Sequence, residues 1–173
     1  IVSCVICSLA LANDYVVTVP AGETNAVDAA FVAALGTSTR LVKRGSGVLH
    51  LSAALSNYAG EIVAEEGVLF VTESGSLGTS AGYTTVSNGA SIVFNAASAS
   101  GIKVYSETIQ LAGEGAPGEM GALANIGASL TGQCFRYLTL LEDAKIYAWG
   151  ELSLYAGVLQ MNGKTLTLAV RDK

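Results

Sequence analysis

The sequence predicts an all-β protein that folds as a parallel β-helix, a solenoid of stacked turns, with a short N-terminal helix as a cap. A phrase of one glycine followed by alternating aliphatic residues starts at Gly47, Gly67 and Gly89, and looser copies start at Gly150 and Gly163. Alternation of period two indicates strands with one buried face. Recurrence at intervals of about 20 residues indicates stacked turns rather than a compact globule.

The composition of the 173-residue chain fits one ordered domain. Hydrophobic residues make up 51% of it and charged residues 13%, so enough aliphatic surface is available to offset the chain entropy. The net charge of -5 argues against a nucleic-acid partner, because phosphate binding requires a dense face of Lys and Arg. Only Arg40, Lys43 and Arg44 cluster among the basic residues, and their alternation on a strand predicts a solvated edge.

The N-terminal residues 1–12 carry no charge and end in Ala10-Leu11-Ala12. An apolar run of this length with a small-x-small end predicts part of a secretory signal peptide; a buried N-terminal strand is the alternative. Cleavage would remove Cys4 and Cys7 and leave Cys134 alone. A single cysteine offers neither a disulfide nor a metal cage, so Cys134 is interpreted as a small buried apolar residue.

Residues 13–40 are predicted to form an N-terminal strand and a capping helix. Asn25 is predicted to be the helix N-cap, Asp28 lies in the first turn, and Gly36 ends the helix. The apolar side of this helix comprises Val27, Ala30, Phe31, Ala34 and Leu35. Such a helix would cover the first turn of the stack, whose apolar end would otherwise be exposed.

Residues 41–173 are predicted to form the β-helix repeats, truncated at the C-terminus. The inward apolar pairs are Leu49/Leu51, Leu69/Val71, Ile92/Phe94, Ile102/Val104, Ile109/Leu111, Leu138/Leu140, Ile146/Ala148, Leu152/Leu154, Leu159/Met161 and Leu166/Leu168. Asn88-Gly89 and Asn162-Gly163 equally suit two-residue hairpins, which leaves an antiparallel β-sandwich as the alternative fold. The parallel arrangement is favoured because the glycine always lies on the N-terminal side of the phrase.

Residues 43–78 combine four recognisable elements. They contain a lysine- and glycine-led strand, an Asn57-Tyr58-Ala59-Gly60 corner, a second glycine-led strand from Glu66 to Val71, and a Leu77-Gly78 turn. This block resembles the passenger-associated repeat of bacterial autotransporters. The resemblance continues in more degenerate form to Val170.

The resemblance implies a right-handed, single-stranded parallel β-helix that is exported and displayed at the outer membrane of a Gram-negative bacterium. It also implies a C-terminal translocator barrel of the same polypeptide as a partner missing from this chain. Protease members of the family carry a glycine-aspartate-serine-glycine loop, which this sequence lacks. The residues that define the repeat are structural: Gly47, Leu49, Leu51, Asn57, Tyr58, Gly60, Gly67, Leu69, Val71, Leu77 and Gly78.

Residues 113–118 fit the letter pattern of a dinucleotide-binding loop. Pro117 and the neighbouring glycines make the helix start that would hold a pyrophosphate unfavourable. A corner loop is therefore predicted.

The remaining candidates for chemistry are few. His50 is the only histidine and alternates with inward leucines, so it is predicted to be an exposed, outward residue rather than a metal ligand or catalytic base. Glu61, Glu65 and Glu66 are the densest carboxylate cluster and predict a solvated acidic face. No catalytic residue, cofactor site or metal site is predicted.

The leading functional hypothesis is a non-enzymatic, exported passenger fragment that presents surfaces for adhesion to a host or a neighbouring cell. The alternative is a fragment of a β-helix enzyme that acts on extracellular polysaccharide, with its groove on turns outside this chain. A purely structural repeat of a surface layer is a third hypothesis.

Overall fold

The computed structural model describes residues 14–36, 39–97, 108–128, 135, 137–149, 151–153 and 157–171. Within these residues the chain is a parallel β-solenoid of about 6 turns with one short helix. The prediction of a parallel β-helix is confirmed. The antiparallel sandwich is wrong, because Asn88-Gly89 and Asn162-Gly163 turn the chain from one parallel sheet into the other instead of closing hairpins.

The helix and strands follow one another along the solenoid. In chain order they are β1 (Asp14–Thr18), β2 (Thr24–Ala26), α1 (Ala29–Leu35), β3 (Arg40–Arg44), β4 (Val48–Leu51), β5 (Ile62–Ala64), β6 (Gly67–Val71), β7 (Thr84–Val86), β8 (Ala90–Phe94), β9 (Thr108–Gly113), β10 (Leu123–Asn125), β11 (Tyr137–Ala148), β12 (Val158–Gln160) and β13 (Leu166–Val170). Because β1 pairs in parallel with β3, the stack already begins before Leu41.

Two parallel sheets form the sides of the solenoid. Sheet one contains β1, β3, β5, β7, β9, the first part of β11 and β12, and sheet two contains β2, β4, β6, β8, β10, the second part of β11 and β13. Strand β11 belongs to both sheets because its register shifts between Leu140 and Ala144. One turn of chain therefore contributes one strand to each sheet.

The core consists of ladders of inward residues that are aliphatic in most turns; between Ile62 and Ile109 the inward residue is Thr84. In sheet two the ladder is Leu49, Leu69, Ile92, Leu123 and Ile146. In sheet one it includes Leu41, Ile62, Ile109 and Leu138. Each fully buried aliphatic side chain contributes about 1.5–3 kcal/mol, and the contacts are made with the turns directly above and below.

The N-terminal helix is present, but its cap differs from the prediction. Asp28 is the N-cap, and its Oδ1 accepts a hydrogen bond of 2.8 Å from the backbone N–H of Phe31. Asn25 does not cap the helix, because it lies in β2 and pairs with Leu49 of β4. Gly36 ends the helix with φ of 71°, as predicted.

The last two described strands carry apolar residues that are exposed. Leu168 and Val170 continue the inward ladders of Ile146 and Ala148, yet they are 70% and 72% exposed. Among the described strands, β12 and β13 each pair with β11 on one side and have no partner strand on the other side. Their inward side chains therefore lack the neighbouring turn that buries the equivalent residues elsewhere.

Several predicted features lie outside the described residues. They are the signal segment, the strand at Ile102 and Val104, Cys134, Gly150 and Leu154. In the part of the chain that is described, no helix is long and apolar enough to cross a membrane.

Candidate functional site

The outer face of sheet one, called the first wall, carries ion pairs between successive turns. Arg40 Nε lies 3.4 Å from Asp14 Oδ1 and 4.0 Å from Glu61 Oε2. Arg44 Nε lies 2.6 Å from Glu65 Oε2. Two of the three glutamates of the predicted acidic face, Glu61 and Glu65, are therefore paired with arginines of the preceding turn. Each such exposed pair contributes about 0.2–1 kcal/mol.

Lys43 points into the solenoid, which corrects the prediction of a solvated edge. Its register partners are Val17 and Ala64, both core residues, and the side chain is fully buried. The ammonium group donates a hydrogen bond of 2.8 Å to the carbonyl of Glu66 and further bonds to the carbonyls of Gly45 and Arg44. Burial lowers the pKa of Lys43 to about 8, against the opposing effect of the Glu66 charge.

Tyr58 lies in the Asn-Tyr-x-Gly corner predicted from the sequence and contacts three backbone groups. Its hydroxyl group lies 2.5 Å from the carbonyl oxygen of Thr39 and 2.7 Å from that of Glu61, and it accepts a hydrogen bond of 3.0 Å from the N–H of Leu41. The side chain is only 3% exposed. Tyr58 therefore fastens the turn before β5 to the start of β3.

The other repeat-defining residues divide into core and corner positions. Leu49, Leu51, Leu69, Val71 and Leu77 are buried in the main core. Gly47, Gly60, Gly67 and Gly78 lie where a Cβ would meet backbone oxygens of neighbouring segments. Asn57 is exposed beside Tyr58. The structure thus places these residues in scaffold positions spread over several turns.

The outer face of sheet two, called the second wall, has a different character. The register aligns His50, Phe70, Val93, Ala124 and Tyr147 in one outward column across five turns. Val68, Val93 and Ala124 are buried although they face outward. This wall is therefore largely apolar, in contrast to the paired charges of the first wall.

A cleft of about 340 Å³ opens on this second wall. The residues that line this outer cleft are Thr24, Val48, His50, Val68, Phe70, Val93, Glu119 and Ile126. Valines from three successive strands form its apolar part, and the His50 and Phe70 rings meet edge to face at 5.3 Å between centroids.

His50 faces outward as predicted, but it is half-buried rather than exposed. Its Nε2 atom lies 2.7 Å from Thr72 Oγ1. One ring nitrogen is therefore engaged with a neighbouring turn, and the ring serves as a fixed side of the cleft.

The segment between β9 and β10 forms the remaining edge of the outer cleft. Residues 114–118 form a corner loop directly after Gly113, the last residue of β9, as predicted, and this loop is attached to the wall through Ser91. The fully buried Ser91 hydroxyl accepts a hydrogen bond of 2.9 Å from the N–H of Ala116 and donates one of 2.8 Å to the carbonyl of Gly121. The loop is thereby held at both ends against β8.

Among the described residues that line the outer cleft, Glu119 alone carries a carboxylate. Its backbone N–H bonds to the carbonyl of Ala116 at 2.9 Å, which places the residue within the loop anchored by Ser91. Partial burial raises the pKa of its side-chain carboxyl group. The described residues that line the cleft include no Lys or Arg to compensate this charge.

Sequence reasoning missed the roles of Ser91 and Glu119 in the outer cleft. The sequence did offer a signal for an apolar outer wall, namely the outward valines Val48, Val68 and Val93 in the repeated strands. Solvent-facing strand positions seldom carry aliphatic residues in every turn. Within the described residues, no group of three or more His, Cys, Asp or Glu side chains is arranged to hold a metal ion.

Comparison with known proteins finds no matching family model, no matching curated protein and no matching solved structure. The resemblance to the autotransporter repeat therefore rests on the residues of the sequence.

Proposed function

We propose that the chain is a non-catalytic β-solenoid scaffold that makes contact with a surface ligand through its second wall. The supporting observation is the difference between the two outer faces. Charges on the first wall are paired between turns, whereas the second wall combines an apolar column with the outer cleft. An apolar cleft that carries a small number of polar groups is typical of binding sites.

We further propose that this scaffold is the passenger region of an autotransporter-like protein. In this proposal the chain is exported, remains at the outer surface of a Gram-negative bacterium, and is continued by a translocator barrel. Its partner is a ligand on a host or a neighbouring cell. The solenoid fold and the scaffold positions of the repeat-defining residues from Gly47 to Gly78 support the proposal.

Display on beads tests the contact function. Beads that carry the purified chain through its C-terminus would be offered to immobilised extracellular-matrix proteins, glycans and peptides. Two matched variants place glutamine at an outward mid-strand position: Phe70→Gln on the second wall and Thr85→Gln on the first. We expect Phe70→Gln to lose retention and Thr85→Gln to keep it.

The same experiment discriminates the rival functions. Equal loss of retention in both variants, or no retention of the unchanged chain by any surface, would overturn the contact proposal. Release of new reducing ends from a polysaccharide would support the enzyme instead. Fusion of the chain between an intact signal peptide and a translocator barrel tests export, since external protease must then cleave it on whole cells.

A further inference from the structure

We propose that the outer cleft binds the side chain of a lysine presented by a peptide segment of a protein partner. The inference deepens the proposed function, on which it rests, by naming the chemistry of the partner. It starts from a cleft that offers an apolar interior, two aromatic rings and a single carboxylate.

The position of the cleft within sheet two excludes recognition by strand addition. Strand β6, which contributes Val68 and Phe70, is hydrogen-bonded to β4 on one side and to β8 on the other. Its backbone groups are therefore already paired. An occupant must be recognised through its side chains, in contrast to a peptide that extends a sheet edge.

The apolar part of the cleft suits an alkyl stem. Val48 and Val68 are register neighbours on β4 and β6, and Val93 follows on β8 beside Phe70. A four-carbon stem lying there would remove its own apolar surface and that of half-buried Val48 from water, since Val68 and Val93 are already buried. The Phe70 ring in the lining also attracts a cation by the interaction of positive charge with an aromatic ring.

The charge of the cleft selects a cation over an anion or a neutral group. The described lining residues include the carboxylate of Glu119 and no Lys or Arg, and the chain as a whole carries a net charge of -5. A purely apolar occupant would bury the exposed Glu119 without a partner, which is costly. An ammonium group supplies that partner. Its positive charge is also attracted by the net negative charge of the chain.

The anchoring of the loop makes the site fixed before an occupant arrives. Ser91 holds Ala116 and Gly121 on either side of Glu119 through its two hydrogen bonds. A loop backbone that the scaffold already holds loses little conformational entropy when an occupant binds. The apolar and acidic parts of the cleft are therefore positioned together.

The proposal is tested by titrating the isotope-labelled chain with three short peptides and measuring the changes in its NMR chemical shifts. The peptides share a neutral glycine-serine sequence and differ in one central residue: lysine, acetyl-lysine, or diaminopropionic acid. Acetyl-lysine keeps the stem without the charge, and diaminopropionic acid keeps the charge without the stem. We expect saturable shifts at Val48, Phe70 and Glu119 with the lysine peptide, and weaker binding of the other two.

Variants of the chain locate the interaction. Glu119→Gln should weaken the lysine peptide roughly fivefold, the loss typical of one partly exposed ion pair. Glu114→Gln, on the same loop but outside the cleft lining, should leave its affinity unchanged. Val48→Phe should fill the cleft and abolish saturable shifts while keeping the strand intact.

Two outcomes would overturn the inference: equal binding of all three peptides, or equal effects of the two glutamate variants. If the lysine peptide does not bind although Phe70→Gln still removes bead retention, the lysine assignment fails and the contact function survives. If the peptide binds but Phe70→Gln leaves retention intact, the contact function fails instead.

Discussion

The ammonium group of Lys43 lies 2.8 Å from the carbonyl oxygen of Glu66, in the next turn of the solenoid, although Lys43 occupies an inward position. A buried charge normally destabilises a core. Here it serves as a donor to carbonyl groups at the corner that leads from sheet one to sheet two, including that of Gly45. These bonds give the buried lysine a structural role at the corner.

Replacement of this lysine should lower stability. Lys43→Met keeps the stem but leaves the carbonyls of Gly45 and Glu66 without this donor. Since each unsatisfied buried group costs about 1–3 kcal/mol and relief of the desolvated charge offsets part of this, we expect a net loss of about 1–3 kcal/mol. Urea unfolding measures the difference. Arg44→Met, at the neighbouring outward position, should cost less than about 1 kcal/mol, and an equal loss in both variants would contradict the donor role.

The lowered pKa of Lys43 predicts a pH dependence of unfolding with a definite sign. Its pKa is about 8 in the folded chain and 10.5 when unfolded, so between these values the unfolded state binds more protons. The free energy of unfolding should therefore gain from Lys43 as pH rises through this window. Below pH 8 both states are protonated and this gain disappears.

Urea midpoints between pH 7.5 and 9.5 test this slope. The upper limit avoids Tyr83, whose pKa is raised chiefly by the Glu61 charge. The difference between the unchanged chain and Lys43→Met should grow with pH, because the variant lacks the titrating group. A difference that stays constant across the window would show that Lys43 titrates normally.

The alternation of aliphatic residues was enough to predict the strands and the ladder that joins Leu49 to Leu69. The same alternation places Lys43 on the inward face with Leu41. The prediction nevertheless followed the usual exposure of lysine. Asn25 was misassigned because a good capping residue is equally able to occupy a short strand. The pairing of Ser91 with Ala116 was beyond prediction, since it depends on the register of turns separated by a long loop.

Removal of the Tyr58 hydroxyl group should loosen the corner before β5. Tyr58→Phe keeps the buried ring and removes the contacts to Thr39, Glu61 and Leu41. We expect a loss of about 1–3 kcal/mol in the free energy of unfolding. Tyr147→Phe, on the half-buried second wall, should change it by less than about 0.5 kcal/mol. Similar effects of the two substitutions would remove the argument for a specific corner role.

Gly67 should tolerate no side chain, because conformation and space both oppose it. Its φ is 70°, and a Cβ would lie 2.5 Å from Lys43 Nζ and 2.5 Å from the carbonyl oxygen of Gly45. Gly89 has a φ of 87° with nothing within 4 Å of a Cβ. Gly89→Ala should thus cost about 1–2 kcal/mol from backbone conformation alone. Gly67→Ala should cost clearly more in the same urea experiment, and equal costs would contradict the crowding.

Glu119→Gln should raise the thermal midpoint of unfolding near neutral pH and have no such effect in acid. Burial raises the pKa of Glu119 in the folded chain above its ordinary value of 4.5, so the folded state binds more protons just above that value. Stability contributed by this group is therefore present at low pH and is lost as pH rises through the raised pKa. Glutamine keeps the size of the side chain without acquiring the charge. Thermal unfolding scans at pH 4 and pH 7 measure the midpoints of the unchanged chain and of this variant, with Glu114→Gln as the control on the same loop. A rise of the midpoint at pH 7 in both variants would indicate relief of general negative charge rather than of burial at the cleft.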